Sequence, residues 1–131
     1  MRYLVDTDWV ADYLKGRQPT VELLSAMADE GLAISIITYG EIHEGIVYGR
    51  DAAQHGRTFN LFLRGVDVLG LNRQIMRRFA RVRGELRRQG LLIGDLDILI
   101  GATAVQYDLT LLTRNAAHFR RIPEIKLYQS L

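Results

Sequence analysis

Short apolar runs recur along this chain at Tyr3–Val5, Leu32–Ile36, Val66–Leu69, Leu109–Thr113 and Ile125–Tyr128. The stretches between the first four carry apolar residues at helical spacing. Trp9, Val10, Tyr13 and Leu14 follow a cap at Thr7 or Asp8 and stop at Gly16. Val21, Leu24 and Met27 follow Pro19-Thr20, and Ile42, Ile46 and Val47 follow a cap at Thr38. A further helix is predicted over Asp51–Leu63. From an Asn72 cap, Ile75, Phe79, Val82 and Leu86 mark the longest helix, ending near Gly90. Ile98, Leu99, Ala102 and Val105 mark one that is apolar nearly all round, its small residues Gly101, Ala102 and Ala104 suited to close packing. Strands separated by helices predict an α/β fold of three layers, α/β/α, around a central parallel sheet of four to five strands. Sites in such sheets lie beyond the carboxyl ends of the strands.

Composition narrows what such a fold can carry. The 131 residues, 48% of them hydrophobic, suit a single domain spanning residues 1–131. Cysteine is absent and His43, His55 and His118 are scattered, so any metal must be held by oxygen. The acid at Asp6 comes too early for a secretory signal, and no window reaches the roughly 18 apolar residues of a membrane span. A soluble, cytoplasmic protein without a membrane partner is expected. Net charge is only +2, yet all but two of the 17 basic residues are arginine, which favours bidentate contacts with carboxylate or phosphate. Arg73, Arg77, Arg78, Arg81, Arg83, Arg87 and Arg88 crowd one helix, opposed there only by Glu85. That helix presents either a plain solvated face or a surface for an anionic partner.

Asp6, Glu41 and Asp97 each stand where an apolar run meets a turn or a helix start. Each has a structural explanation of its own. Asp6 fits a helix cap, Glu41 the partner of Thr38 in a capping box, and Asp97 compensation of a helix dipole. Convergence adds a second reading, because three gathered carboxylates must repel, share protons or hold a cation. Oxygen ligands of this kind suit Mg²⁺, with Mn²⁺ as a substitute.

Four ordered segments carry a resemblance across nearly the whole chain: Tyr3-Leu4-Val5-Asp6-Thr7-Asp8, Ser35 to Ile42, Ile93 to Ala102, and Leu112-Thr113-Arg114-Asn115 with His118-Phe119 beyond. In these the sequence resembles the PIN-domain ribonucleases of the VapC type, the toxin halves of toxin–antitoxin pairs. The resemblance implies a PIN-like fold and a Mg²⁺-dependent endoribonuclease that hydrolyses RNA phosphodiester bonds. It implies catalytic roles for Asp6, Glu41, Asp97 and Asn115, with Asp6, Asp97 and Glu41 on the metal. Thr113 and Arg114 become candidates for substrate binding. Two departures from the family pattern, Asp8 in place of the usual asparagine and an acid at Asp95, leave open a more negative pocket and a second cation. A VapB-type antitoxin and a homodimer are the implied partners, with Ile42–Leu63 and the first helix around Trp9 and Tyr13 as the candidate antitoxin groove.

Two other classes fit less of the chain. A phosphoacceptor receiver domain needs a late lysine and a mid-chain aspartate ending a strand, and the lysines are only Lys15 and Lys126. A catalytically silent binding module would use the acidic pocket to dock a basic partner.

Overall fold

The computed structural model describes residues 1–129. Five parallel strands form one sheet in the order β3-β2-β1-β4-β5: β1 (Tyr3–Val5), β2 (Leu32–Ser35), β3 (Val66–Leu69), β4 (Thr110–Leu112) and β5 (Lys126–Leu127). The sequence-predicted strands all form: β1 and β3 keep their predicted bounds, and β2, β4 and β5 are shorter by one or two residues where the strand gives way to a cap or turn. Alternation along the strands divides the core in two. Tyr3, Val5, Leu32, Ile34 and Leu112 face one cluster, while Leu4, Ala33, Leu109 and Leu111 face the other. These strands are apolar on both faces because both faces are covered.

The first cluster lies under helices α1 (Thr7–Leu14), α2 (Thr20–Met27), α3 (Ile36–Val47) and α4 (Ala52–Leu63). The second lies under α5 (Arg73–Arg88), α6 (Asp95–Gln106) and α7 (Ala116–Phe119). The short α7 was not anticipated; four residues give too little periodicity to read. Asn72 caps α5 as expected, its side chain accepting from Ile75 N at 2.9 Å. Gly101 answers the close-packing prediction on α6: a Cβ there would stand 2.2 Å from Ile122 Cδ1 in the interior.

Two predicted caps move upstream. Helix α1 is capped by Asp6, not by Thr7 or Asp8, and α3 is capped by Ser35, not Thr38. In both cases the strand runs directly into its helix, and the polar residue at the junction accepts from a free N–H of the first turn, Thr7 N for Asp6 and Ile37 N for Ser35. The consequence is positional: Asp6 and Ser35 end adjacent parallel strands at the same edge of the sheet. No helix among the described residues is long and apolar enough to cross a membrane.

Candidate active site

The sheet reverses its direction of growth between β1 and β4, since the chain proceeds from β1 to β2 on one side and from β4 to β5 on the other. A crevice forms at the carboxyl ends of strands where this happens. Asp6 leaves β1 and Thr113 leaves β4 at that point, and the two side chains meet: Thr113 Oγ1 donates to Asp6 Oδ2 at 2.7 Å. Asp6 Oδ1 accepts from Thr7 N at 2.8 Å, and its backbone carbonyl accepts from Trp9 and Val10 N. Capping and clustering are thus the same role for Asp6, not competing ones.

Glu41 is no capping-box partner. With α3 starting at Ile36, it lies more than a turn inside the helix, where its Oε1 accepts from Thr7 Oγ1 at 2.6 Å. Thr7 Oγ1 also lies 3.1 Å from Thr38 Oγ1, and since its single proton goes to Glu41, the fully buried Thr38 donates to it. The two hydroxyls therefore link α1 to α3. Sequence reading treated Thr7 and Thr38 only as caps, and nothing in their spacing signals this second role.

Burial pushes the Asp6 carboxyl up to about 6 against the 3.8 of a free aspartate, opposed by Thr113 and reinforced by Asp8 and Asp97. Burial also raises Asp97, with Glu41 and Asp8 adding to the rise and His118 opposing it. Asp8 is raised as well, chiefly by burial, against its bond from Arg114 N at 3.0 Å. Its other oxygen, Oδ1, is buried without a hydrogen-bond partner. The pocket is short of positive charge, and its donor set is entirely hard oxygen, which fits Mg²⁺ or Mn²⁺. Among the described residues, no three of these groups already close around one point.

The remaining candidates are also located. Asn115 N donates to Thr113 Oγ1 at 2.9 Å, and its side-chain amide nitrogen lies 2.9 Å from His118 Nδ1, so a histidine set aside in the sequence borders the site. The hydroxyl proton of Thr113 is committed to Asp6. Arg114 pairs with Asp12 at 3.2 Å while remaining largely exposed. Asp12, buried on α1 and not singled out in the sequence, also holds Arg17 at 3.6 Å. Asp95 turns away to Arg83 at 2.7 Å in solvent, which takes it out of the cluster.

A groove of about 260 Å³ lies between α1, α3 and α4, its apolar lining of Ala11, Leu14, Ile42 and Ile46 accompanied by Glu41 and Lys15. Its place matches the anticipated partner groove, but its walls differ. Trp9 is buried against Tyr128, and Tyr13 packs on Phe62, so neither aromatic ring faces it.

The PIN domain model matches residues 3–125. Over 129 residues, 97% of this chain and 87% of its relative, the sequence is 33% identical to Ribonuclease VapC1 of Methanocaldococcus jannaschii. It is 29% identical to Ribonuclease VapC2 of Rickettsia felis over 132 residues, covering 97% of this chain and 96% of that one. The chain belongs to the PIN-domain family and, within it, to the VapC type. The fold agrees: the crystal structure of VapBC2 from Rickettsia felis bound to a promoter DNA fragment superposes with a TM-score of 0.91 at 26% identity over all of both chains. VapBC-1 from nontypeable Haemophilus influenzae gives 0.86 at 28% identity over 98% of each.

Proposed function

We propose that this chain is a Mg²⁺-dependent endoribonuclease, the toxin of a toxin–antitoxin pair, acting in the cytoplasm through a single domain over residues 1–131. The observation that carries the reading is the buried Asp6, raised to about 6 by desolvation and by neighbouring acids at the sheet's switch point. VapC relatives named as ribonucleases support the substrate class. Asp6, Asp97 and Glu41 would hold the cation, and Mn²⁺ would substitute for it. When bound, it supplies Lewis acidity toward the phosphodiester and an attacking water.

The chain's own groups do the positioning. Thr113 and Thr7 N fix the two oxygens of Asp6, and Thr7 Oγ1 fixes Glu41. Asn115 adds a neutral amide beside His118, so it orients a polar ligand without adding to the repulsion among the acids. Arg114, anchored by Asp12, lies next to Thr113 with its guanidinium exposed to a backbone phosphate of the RNA.

The partner reading is supported by the VapBC complexes among the structural neighbours. A VapB-type antitoxin would occupy the groove between α1, α3 and α4, whose lining joins apolar side chains to the acid Glu41. On the other flank of Glu41, the exposed Ile36 and Leu96 offer apolar area for a homodimer.

One observation favours a second reading, an acidic pocket that binds without cutting: no three acids are closed around one point among the described residues. Cleavage of a structured RNA mixture by antitoxin-free protein with Mg²⁺, Mn²⁺ or EDTA, beside Asp97→Asn, separates the two. Metal-dependent cutting lost in the variant is the expected result. No cutting by folded wild type under any metal would favour the silent module.

A further inference from the structure

A cavity of about 550 Å³ shares Thr113 and Arg114 with the carboxylate cluster and otherwise belongs to none of the machinery described above. Its volume falls in the range of roughly 300–1,000 Å³ typical of ligand sites. Its charge is opposite to that of the neighbouring acids. Arg17, Arg114 and Arg120 line it against one carboxylate, Asp12. Asp12 is only 6% exposed and lies between Arg17 and Arg114, 3.6 and 3.2 Å from their Nη1 atoms. Each guanidinium carries five N–H donors, so one shared carboxylate leaves most of them unspent. Arg120 has no ion pair at all among the described residues. Trp9 and Tyr128 meet edge to face at 6.1 Å and give the same cavity an aromatic wall.

Exposed cations, here two braced by Asp12 and one unpaired among the described residues, set beside an aromatic wall are the elements of a single-strand nucleic-acid site. A strand presenting one phosphodiester to the acids at Asp6 must bring its neighbouring phosphate close by, against the repulsion of those same acids. The cavity adjoins at Thr113, whose hydroxyl touches Asp6. We propose that it is a subsite for the nucleotide flanking the cleaved bond of a single-stranded RNA, with Arg114 and Arg120 on its phosphate and Tyr128 beside its base. The excess of arginine disfavours a basic peptide there. This inference rests on the ribonuclease reading and adds to it a substrate form and two residues, Arg17 and Arg120, with no role so far.

The test uses the full chain carrying Asp97→Asn, free of antitoxin, and titrates a fluorescein-labelled single-stranded RNA hexamer at several salt concentrations. Arg120→Ala is expected to weaken binding about tenfold, the loss of one charge-assisted contact. It should also make the salt dependence shallower by about 0.7 in log–log slope, one phosphate contact on a single strand. Arg57→Ala, exposed on α4, serves as the control and should change neither. Unchanged affinity and slope in both Arg120→Ala and Arg17→Ala would overturn the subsite. So would a loss confined to an acidic peptide probe, which would assign the cavity to a protein partner. The two readings fail separately: cutting that persists while hexamer binding ignores Arg120 sinks the subsite alone, and absent cutting with binding that depends on Arg120 sinks the nuclease alone.

Discussion

The acidic crevice and the arginine-rich helix α5 are both concentrations of charge, and they behave in opposite ways. Helix α5 is dense along the sequence but dilute in space. Arg83 is paired with Asp95 and Arg88 with Glu85 at a surface where water screens them, and Arg78, paired with the exposed Glu124, is the most buried of the three, its Nε without a hydrogen-bond partner. The acids are dilute along the sequence, from Asp6 to Asp97, but are gathered where burial raises Asp6, Asp8 and Asp97 together. Charge density matters energetically only where water is excluded, and the sheet edge, not the arginine run, is that place.

The sharpest way to break this contrast is Asp97→Asn, which should lower RNA cleavage by about three orders of magnitude, several kcal/mol of transition-state stabilisation. The thermal midpoint should hold or rise, because a like charge is removed beside Glu41. A melting curve run with the cleavage assay checks both, and a variant that cuts RNA normally would remove Asp97 from the site.

Cation binding should come next in size. At a hundredfold excess over its Kd, Mg²⁺ contributes about 2.7 kcal/mol to the folded state, a rise of about 10 °C in Tm for a chain of this length. Asp6→Asn should abolish most of that rise, read by calorimetry without any substrate. An equal Mg²⁺ response in the variant would place the cation elsewhere.

The metal-free protein should also carry a pH signature of comparable or smaller size. Asp6 titrates near 6 when folded and near 3.8 when unfolded, so between those values the native state holds the extra proton. Its stabilising contribution is therefore complete below about 3.8 and is lost as pH rises through 6, by no more than about 3 kcal/mol. Urea titrations across this window should show the decline in EDTA and a flatter profile in Asp6→Asn. Thr113→Val, which removes the hydroxyl that lowers Asp6, should push the midpoint of this decline higher.

The smallest effect is expected on α5. Arg88→Ala should leave the urea midpoint unchanged, because Arg88 and its partner Glu85 are both solvated. A clear drop in the midpoint would mean that the arginine face is covered in solution, and the contrast with the acidic crevice would fail.

Much of this arrangement was legible beforehand. Apolar runs and helical periodicity are local signals, and they placed every strand and all the longer helices, together with the cap at Asn72 and the close packing at Gly101. Asp6 stood out because it joins β1 to α1 at the carboxyl end of the sheet, whereas Glu41 lies more than a turn inside α3 and Asp97 in the first turn of α6 after a loop. What failed was local in scale but not in cause. Thr38 looked like a cap because it precedes Glu41 by three, yet β2 runs straight into α3 and leaves that role to Ser35.

The sequence by itself determined the layered parallel fold and the sheet edge at which Asp6 stands, since these follow from periodicity and the direction of the strands. Only the tertiary structure decided that Thr7 and Thr113 hold the carboxylates, that Asp95 leaves the pocket while Asp8 stays, and that Asp12 braces Arg114 beside a cationic cavity. Those contacts join residues up to 107 positions apart, as between Asp6 and Thr113. Hydrogen-bond partners and burial depend on how separate elements are brought together, and no spacing within one element encodes that.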